Sequence, residues 1–207
     1  MFCITEIKDI ITSITAVAAI IIAIFGLSTW RRQLKGNRKY DLSFECLQKL
    51  KILIEAINGF RHSYIGNSEM VEAYSKKHTD SLDFMDSKQR ELAFQYAMEL
   101  RWDVIRNANR EYQSSIQKLE IILNETKIDT HNERRILDLI IEILDAWQTN
   151  QFLTKKKTPI PEAQREKWLK DLEESEDILN SIPGDRINQE IDALYNSLNA
   201  KLRKHLK

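Results

Sequence analysis

The side chains with the strongest chemical potential are arginines and acids, and they fall in three clusters. The stretch RWDVIRNANR places Arg101, Arg106 and Arg110 beside Asn107 and Asn109. On a helix, residues four apart stand one turn apart, so Arg106 and Arg110 can reach one anionic ligand, such as a nucleotide phosphate, or one acidic neighbouring helix. Arg61 and His62 form a second anion candidate. Asp138, Glu142 and Asp145 recur at steps of four and three, which puts three carboxylates on one helical face. That stripe suits a solvated polar face, a set of ion-pair partners for Arg101, Arg106 and Arg110, or a divalent cation.

Catalytic and cofactor patterns do not emerge. The histidines His62, His78, His131 and His205 are dispersed, with no second His three or four residues away and no Glu three residues before any of them. There is no C-x-x-C pair for zinc, and the five glycines form neither G-x-x-x-x-G-K nor G-x-G-x-x-G. Helical ribonucleases of the HEPN kind carry Arg four to six residues before His, and no histidine here has such an Arg. These patterns predict a chain that is not an enzyme and binds no cofactor and no metal.

The elements that must carry these residues are helical. Five Gly and three Pro in 207 residues leave too little turn chemistry for a many-stranded β fold. The predicted fold class is all-α: one N-terminal transmembrane helix followed by a cytoplasmic bundle of about five helices. From Ile10 to Trp30 no side chain is charged, and a helix of that length spans about 31 Å, close to the thickness of a bilayer core. Trp30 suits the headgroup boundary, and Arg31, Arg32, Lys35, Arg38 and Lys39 follow it, whereas only Lys8 precedes the run. The positive-inside rule then places the short N-terminus outside and the body in the cytoplasm, anchored in the cell's inner (plasma) membrane. A cleaved signal peptide would want its basic residues ahead of the apolar run. A buried core helix would be shorter.

The domain organisation follows as residues 1–30 for tail and span, 31–39 for a basic collar and 40–207 for the helical body. Gly36 and Asn37 offer a hinge, Asp41 starts a body helix that reaches about Asn58, and Gly59 ends it. Leu42, Cys46, Leu50, Leu53 and Ile57 supply its apolar face, which makes Cys46 a small core residue. Residues 59–86 hold one or two short helices.

Asp86 and Gln89 form a capping box for a long helix to about Asn124. Its main stripe runs from Phe94 through Trp102, Ile105 and Tyr112 to Leu123, and Leu92, Tyr96, Leu100 and Val104 form a second face that makes it the spine of the bundle. Thr130 and Glu133 open a buried helix to about Phe152. Lys155, Lys156, Lys157, Pro159 and Pro161 mark a linker, Trp168 to Leu179 forms a charged helix, and Asp185 caps a final helix. The seam of that last helix, Ile187, Ile191, Leu194, Leu198 and Leu202, packs within the bundle or against another copy.

The string WRRQLKGNRKYDLSFECLQKLKILIEAI resembles the juxtamembrane region of small bacterial single-pass proteins of unassigned function. In these an apolar helix runs into W-[RK]-x-Q-L-K-G and then a charged helical domain. The match covers Trp30, Arg31, Gln33, Leu34, Lys35 and Gly36 with the following helix, about a seventh of the chain. It implies the anchor topology and a bacterial source, with no active site to carry over.

Formal charge is zero, yet residues 31–39 carry five cations and no acid, while residues 40–207 carry 25 basic against 29 acidic side chains. The collar would grip an anionic leaflet, and the acidic body is a poor nucleic-acid binder. The expected partners are therefore the membrane and proteins, by self-association or otherwise, and no nucleic acid. Two functions fit: a membrane-anchored interaction module, oligomeric and non-catalytic, or a membrane-acting effector, as in antiphage defence, whose bundle senses a partner or an anionic ligand. In the second, Ala19 and Ala23 allow the spans to cluster.

Overall fold

The computed structural model describes residues 4–61, 64–123, 130–155, 160–182 and 184–203. Among these the chain forms six α-helices and no strand, so the all-α expectation holds. They are α1 (Ile4–Arg61), α2 (Asn67–Ser75), α3 (Ser87–Leu123), α4 (Thr130–Lys155), α5 (Glu162–Leu179) and α6 (Arg186–Arg203).

The main departure from expectation is α1, a single helix of 58 residues. Gly36 and Asn37 do not form a hinge, and Gly59 does not end the helix, which continues to Arg61. A lone glycine in a helix costs about 1 kcal/mol relative to alanine, a deficit that the turns on either side absorb. From Ile14 on, the most apolar 18-residue stretch of α1 has a mean hydropathy of 1.8, and none of it is buried inside the fold. A core helix of a soluble protein would be mostly buried there. One helix near the N-terminus is therefore long and apolar enough to cross a membrane.

From Ser43 onward α1 buries one face, with Ser43, Cys46, Leu50, Leu53, Ile57 and Phe60 in the core. The opposing surface is α3, which runs antiparallel to it: Lys49 pairs with Glu111 at 2.6 Å, and Lys118 pairs with Glu45 at 3.3 Å. The α3 stripe of Met98, Ile105, Ala108, Tyr112, Ile116 and Leu119 is buried as its spacing requires.

The second face of α3 is only partly the expected one: Tyr96 and Leu100 pack half-buried against the core. Leu92 is 38% exposed and Val104 55% exposed, whereas Ala93 and Ala97 are fully buried. The two alanines lie in the half of α3 that contacts α2 and the segment after it, and their full burial leaves no space there for a larger side chain. Of the expected cap, Asp86 Oδ1 accepts the Lys88 N–H at 2.8 Å. Gln89, however, reaches past the capping residue and accepts the Asp83 N–H at 2.9 Å, ordering the preceding turn instead.

α4 buries Ile136, Leu139, Ile140, Ile143 and Ala146 but leaves Leu137 and Ile141 exposed, so it is amphipathic and not buried all round. The Thr130 side chain, half of its expected capping box, lies outside the described residues. The α6 seam of Ile187, Ile191, Leu194, Leu198 and Leu202 is buried within the bundle against α1 and α4. That settles its packing in favour of this chain. α5 lies on the outside of α4, with Ser175 its one buried residue among those described.

Close packing at Ala97 gives a direct test. Ala97→Leu should destabilise the chain by about 1–3 kcal/mol through overpacking. Leu92→Ala should change stability by no more than about 0.5 kcal/mol, as for a surface position. Urea unfolding of both variants measures the contrast.

Candidate functional site

Arg61 is the most unusual residue in the molecule: its side chain is fully buried at the last position of α1. A buried guanidinium persists only when its N–H groups meet acceptors, and here they do. Nε donates to the Ile178 carbonyl at 2.8 Å, Nη1 to Asn188 Oδ1 at 3.1 Å, and Nη2 to Asp185 Oδ2 at 2.7 Å and the Asn180 carbonyl at 3.4 Å. The Ile178 and Asn180 oxygens belong to the C-terminal end of α5, where carbonyls lack helical partners and a cation is favoured.

Asp185, the expected cap of α6, serves both ends of this junction. Its Oδ1 accepts the Asn188 N–H at 2.7 Å and its Oδ2 accepts the Ile182 N–H at 3.0 Å. Gly184 adopts φ +82°, the left-handed conformation that turns the chain sharply ahead of the cap. Burial pushes the Asp185 carboxyl up, but the Arg61 hydrogen bond, the Asn188 amide, the Arg61 charge and the Ile182 amide together hold it below the ordinary carboxylate range.

Arg61 is therefore an ion-pair residue whose acceptors come from within the chain. It lies 31 residues beyond Trp30 on the same helix, about 46 Å by helical rise, too far to act together with the cations that follow Trp30. Its sequence neighbour His62 lies outside the described residues.

The three arginines of α3 are not brought together on the acidic stripe of α4. Arg101 forms a two-pronged pair with Glu69 of α2, Nε to Oε1 at 2.6 Å and Nη2 to Oε2 at 2.7 Å, and Nη2 also donates to the Tyr64 carbonyl at 3.0 Å. It fastens α2 and the segment before it to the spine. Arg106 is exposed and pairs with Asp103 of its own helix. Arg110 is exposed, with no partner among the described residues. The reason is rotational: Arg101 lies in register with the buried stripe of α3, between Met98 and Ile105, beside α1 and α2, whereas Arg106 and Arg110 fall on the exposed side.

Glu142 is instead partnered by Arg186 of α6, which also pairs with Glu190 at 3.0 Å. Asp138, Glu142 and Asp145 line a groove of about 550 Å³ between α4 and α5, and Asp171 and Glu174 line its other side. No group of three or more metal-ligating side chains is close enough to hold an ion among the described residues. Sequence periodicity found one wall of this groove. The second wall escaped it because nothing local signals that α5 lies alongside α4.

Two further features were not foreseen. A cleft of about 380 Å³ beside Arg61 is walled by Phe60, Phe94, Met98, Trp147 and Leu179, with Phe60 edge-on to Trp147 at 6.1 Å and to Trp102 at 5.8 Å. On the other side of α3, His78 stacks on Tyr74 at 4.4 Å and its Nε2 lies 3.3 Å from the Tyr96 hydroxyl. Burial, together with the Asp80 carboxylate, pushes the Tyr74 hydroxyl above its ordinary pKa. A tyrosine shifted in that direction is a weaker proton donor and a poorer nucleophile at neutral pH, which fits packing better than catalysis.

Beyond the apolar run Trp30, Arg31, Arg32, Lys35 and Arg38 are exposed along α1, and Lys39 is half-buried. They are held on one rigid helix and not on a flexible collar. No family model, no curated protein and no solved structure matches this chain.

The junction yields two expected outcomes. Arg61→Met should cost roughly 3–5 kcal/mol, the loss typical of breaking a buried ion pair by removing one partner; unchanged stability in urea would mean that Arg61 is held for a ligand instead. A carboxylate held lower in the folded than in the unfolded chain adds stability above its unfolded pKa of about 3.9 and loses it as pH falls through the lower native value. The stability gap between the native chain and Asp185→Asn should accordingly be widest near neutrality and shrink below about pH 4.

Proposed function

We propose that this chain is a membrane-anchored helical module that works by binding proteins, itself included, without catalysis. The observation that carries this reading is α1: an apolar run buried by nothing in the fold continues without a break into the helix that organises the bundle. The cations from Arg31 to Lys39 favour a cytoplasmic bundle and an external N-terminus in the inner (plasma) membrane of a bacterium. The W-[RK]-x-Q-L-K-G resemblance points the same way.

The anion-sensing effector is the weaker alternative. Of its candidate cations, Arg61 and Arg101 are satisfied by acceptors of this chain, and Arg106 pairs within its own helix. An exposed Arg110 alone is a poor basis for ligand selectivity.

Full-length protein should remain in the membrane fraction through carbonate and high-salt washes. Deletion of residues 1–30 should release a soluble body that retains helical far-UV signal and unfolds cooperatively. Cys3 should react with a membrane-impermeant maleimide on intact cells, whereas Tyr64→Cys, at an exposed position of the body, should react only after lysis. Extraction by carbonate, or labelling of Tyr64→Cys from outside, contradicts the anchor or its orientation.

A further inference from the structure

Because α1 is continuous, the direction in which each membrane-embedded side chain points is fixed relative to the bundle. Successive residues turn by about 100°. Ser43, Cys46, Leu50, Leu53 and Ile57, buried against the bundle, define one side of the helix. Arg31, Arg32, Lys35, Arg38 and Lys39 all fall within an arc of about 120° on that same side, beneath the bundle.

The opposite side is different. Starting at Ala19, steps of alternately four and three residues lead through Ala23 and Gly26 to Trp30, and onward through Gln33 and Asn37 to Tyr40 and Phe44. This seam points about 150° away from the bundle, carries no charge, and spans roughly 38 Å of helix from lipid into water. Every residue on it is exposed, Phe44 to 59%. An exposed tyrosine and phenylalanine a turn apart in the aqueous part have no purpose in solvent, and the basic residues that could have filled these positions lie on the other side.

We propose that this seam is the contact surface for α1 of a second copy, in a parallel two-fold pair. The inference rests on the membrane-anchored reading above. An occupant must follow the seam through the bilayer border and continue straight for several turns, which α1 itself does. In a parallel two-fold contact each residue faces its own counterpart, so any charge on the seam would repel itself. The seam has none, and its polar positions, Gln33 and Asn37, are amides that both donate and accept and can therefore pair with themselves.

The alternation of three and four is the repeat of a left-handed helix pair. A single buried Asn in such a seam sets register and favours two strands. Small side chains at Ala19, Ala23 and Gly26 allow close approach in lipid, where packing and not hydrophobicity drives association. The cations of both copies point outward to the headgroups, and each bundle sits clear of the contact.

The test uses the full-length chain in membranes with Cys3→Ser, leaving Cys46, which is buried in the core. Asn37→Cys should give several-fold more disulfide-linked dimer on mild oxidation than Lys35→Cys on the opposite side. Gly26→Ile with Asn37→Lys should convert the detergent-solubilised chain from dimer to monomer in sedimentation, with its helical signal unchanged. Equal cross-linking at the two positions, or a native chain that sediments as a monomer, overturns the pairing while leaving the anchor intact. A chain absent from the carbonate-washed membrane fraction overturns both.

Discussion

A helix that runs from an exposed apolar segment into a folded bundle without a break cannot choose its rotational setting twice. The side that α1 turns to the core at Cys46, Leu50 and Leu53 decides which way Ala19 points in the apolar run and which way Arg32 and Lys35 point after it. The rest of the architecture is arranged around that rod. α3 lies antiparallel to its buried face, α6 and α4 complete the core beside it, and α2 and α5 cover what remains. Charge follows the same division, with cations beneath the bundle and a neutral face on the outside.

The far end of the rod is secured by Arg61. Its guanidinium meets the carbonyl end of α5 and the cap of α6 together, so one buried cation satisfies groups that two helix termini leave open. Asp185 divides its oxygens between that cation and the amides around its own helix start. A hydrophobic replacement could fill the same volume, but it would leave the α5 carbonyls and the Asp185 carboxylate without their donor. Such a junction couples the position of α5 and α6 to the end of α1, and hence to the helix that carries the apolar run.

The sequence announced the parts of this fold that depend on local rules. The long apolar run of α1, the buried stripes of α3 and α6 and the Asp185 cap all follow from periodicity, length and capping chemistry, and each stands as its pattern required. What stayed hidden depends on how helices meet. Gly36 and Asn37 read as a hinge because their intrinsic preferences are weak, but in α1 the neighbouring turns dominate. Leu92 and Val104 looked like a second core face because they are large and apolar, whereas the packed fold buries Ala93 and Ala97 instead. Arg61 could be singled out as an anion partner, yet its acceptors lie more than a hundred residues away and carry no local mark. Arg101 and Glu69, 32 residues apart, carry no local mark of their pairing either, nor does the groove whose second wall comes from α5.

Continuity of α1 is the claim on which the coupling between membrane and bundle stands, and backbone hydrogen exchange tests it most directly. In the full-length chain reconstituted in lipid nanodiscs, amides from Gln33 to Leu42 should be protected without interruption, those of Gly36 and Asn37 exchanging no faster than the turns on either side. Rapid exchange confined to residues 35–38, with protected helix before and after it, would reveal a hinge and contradict the account.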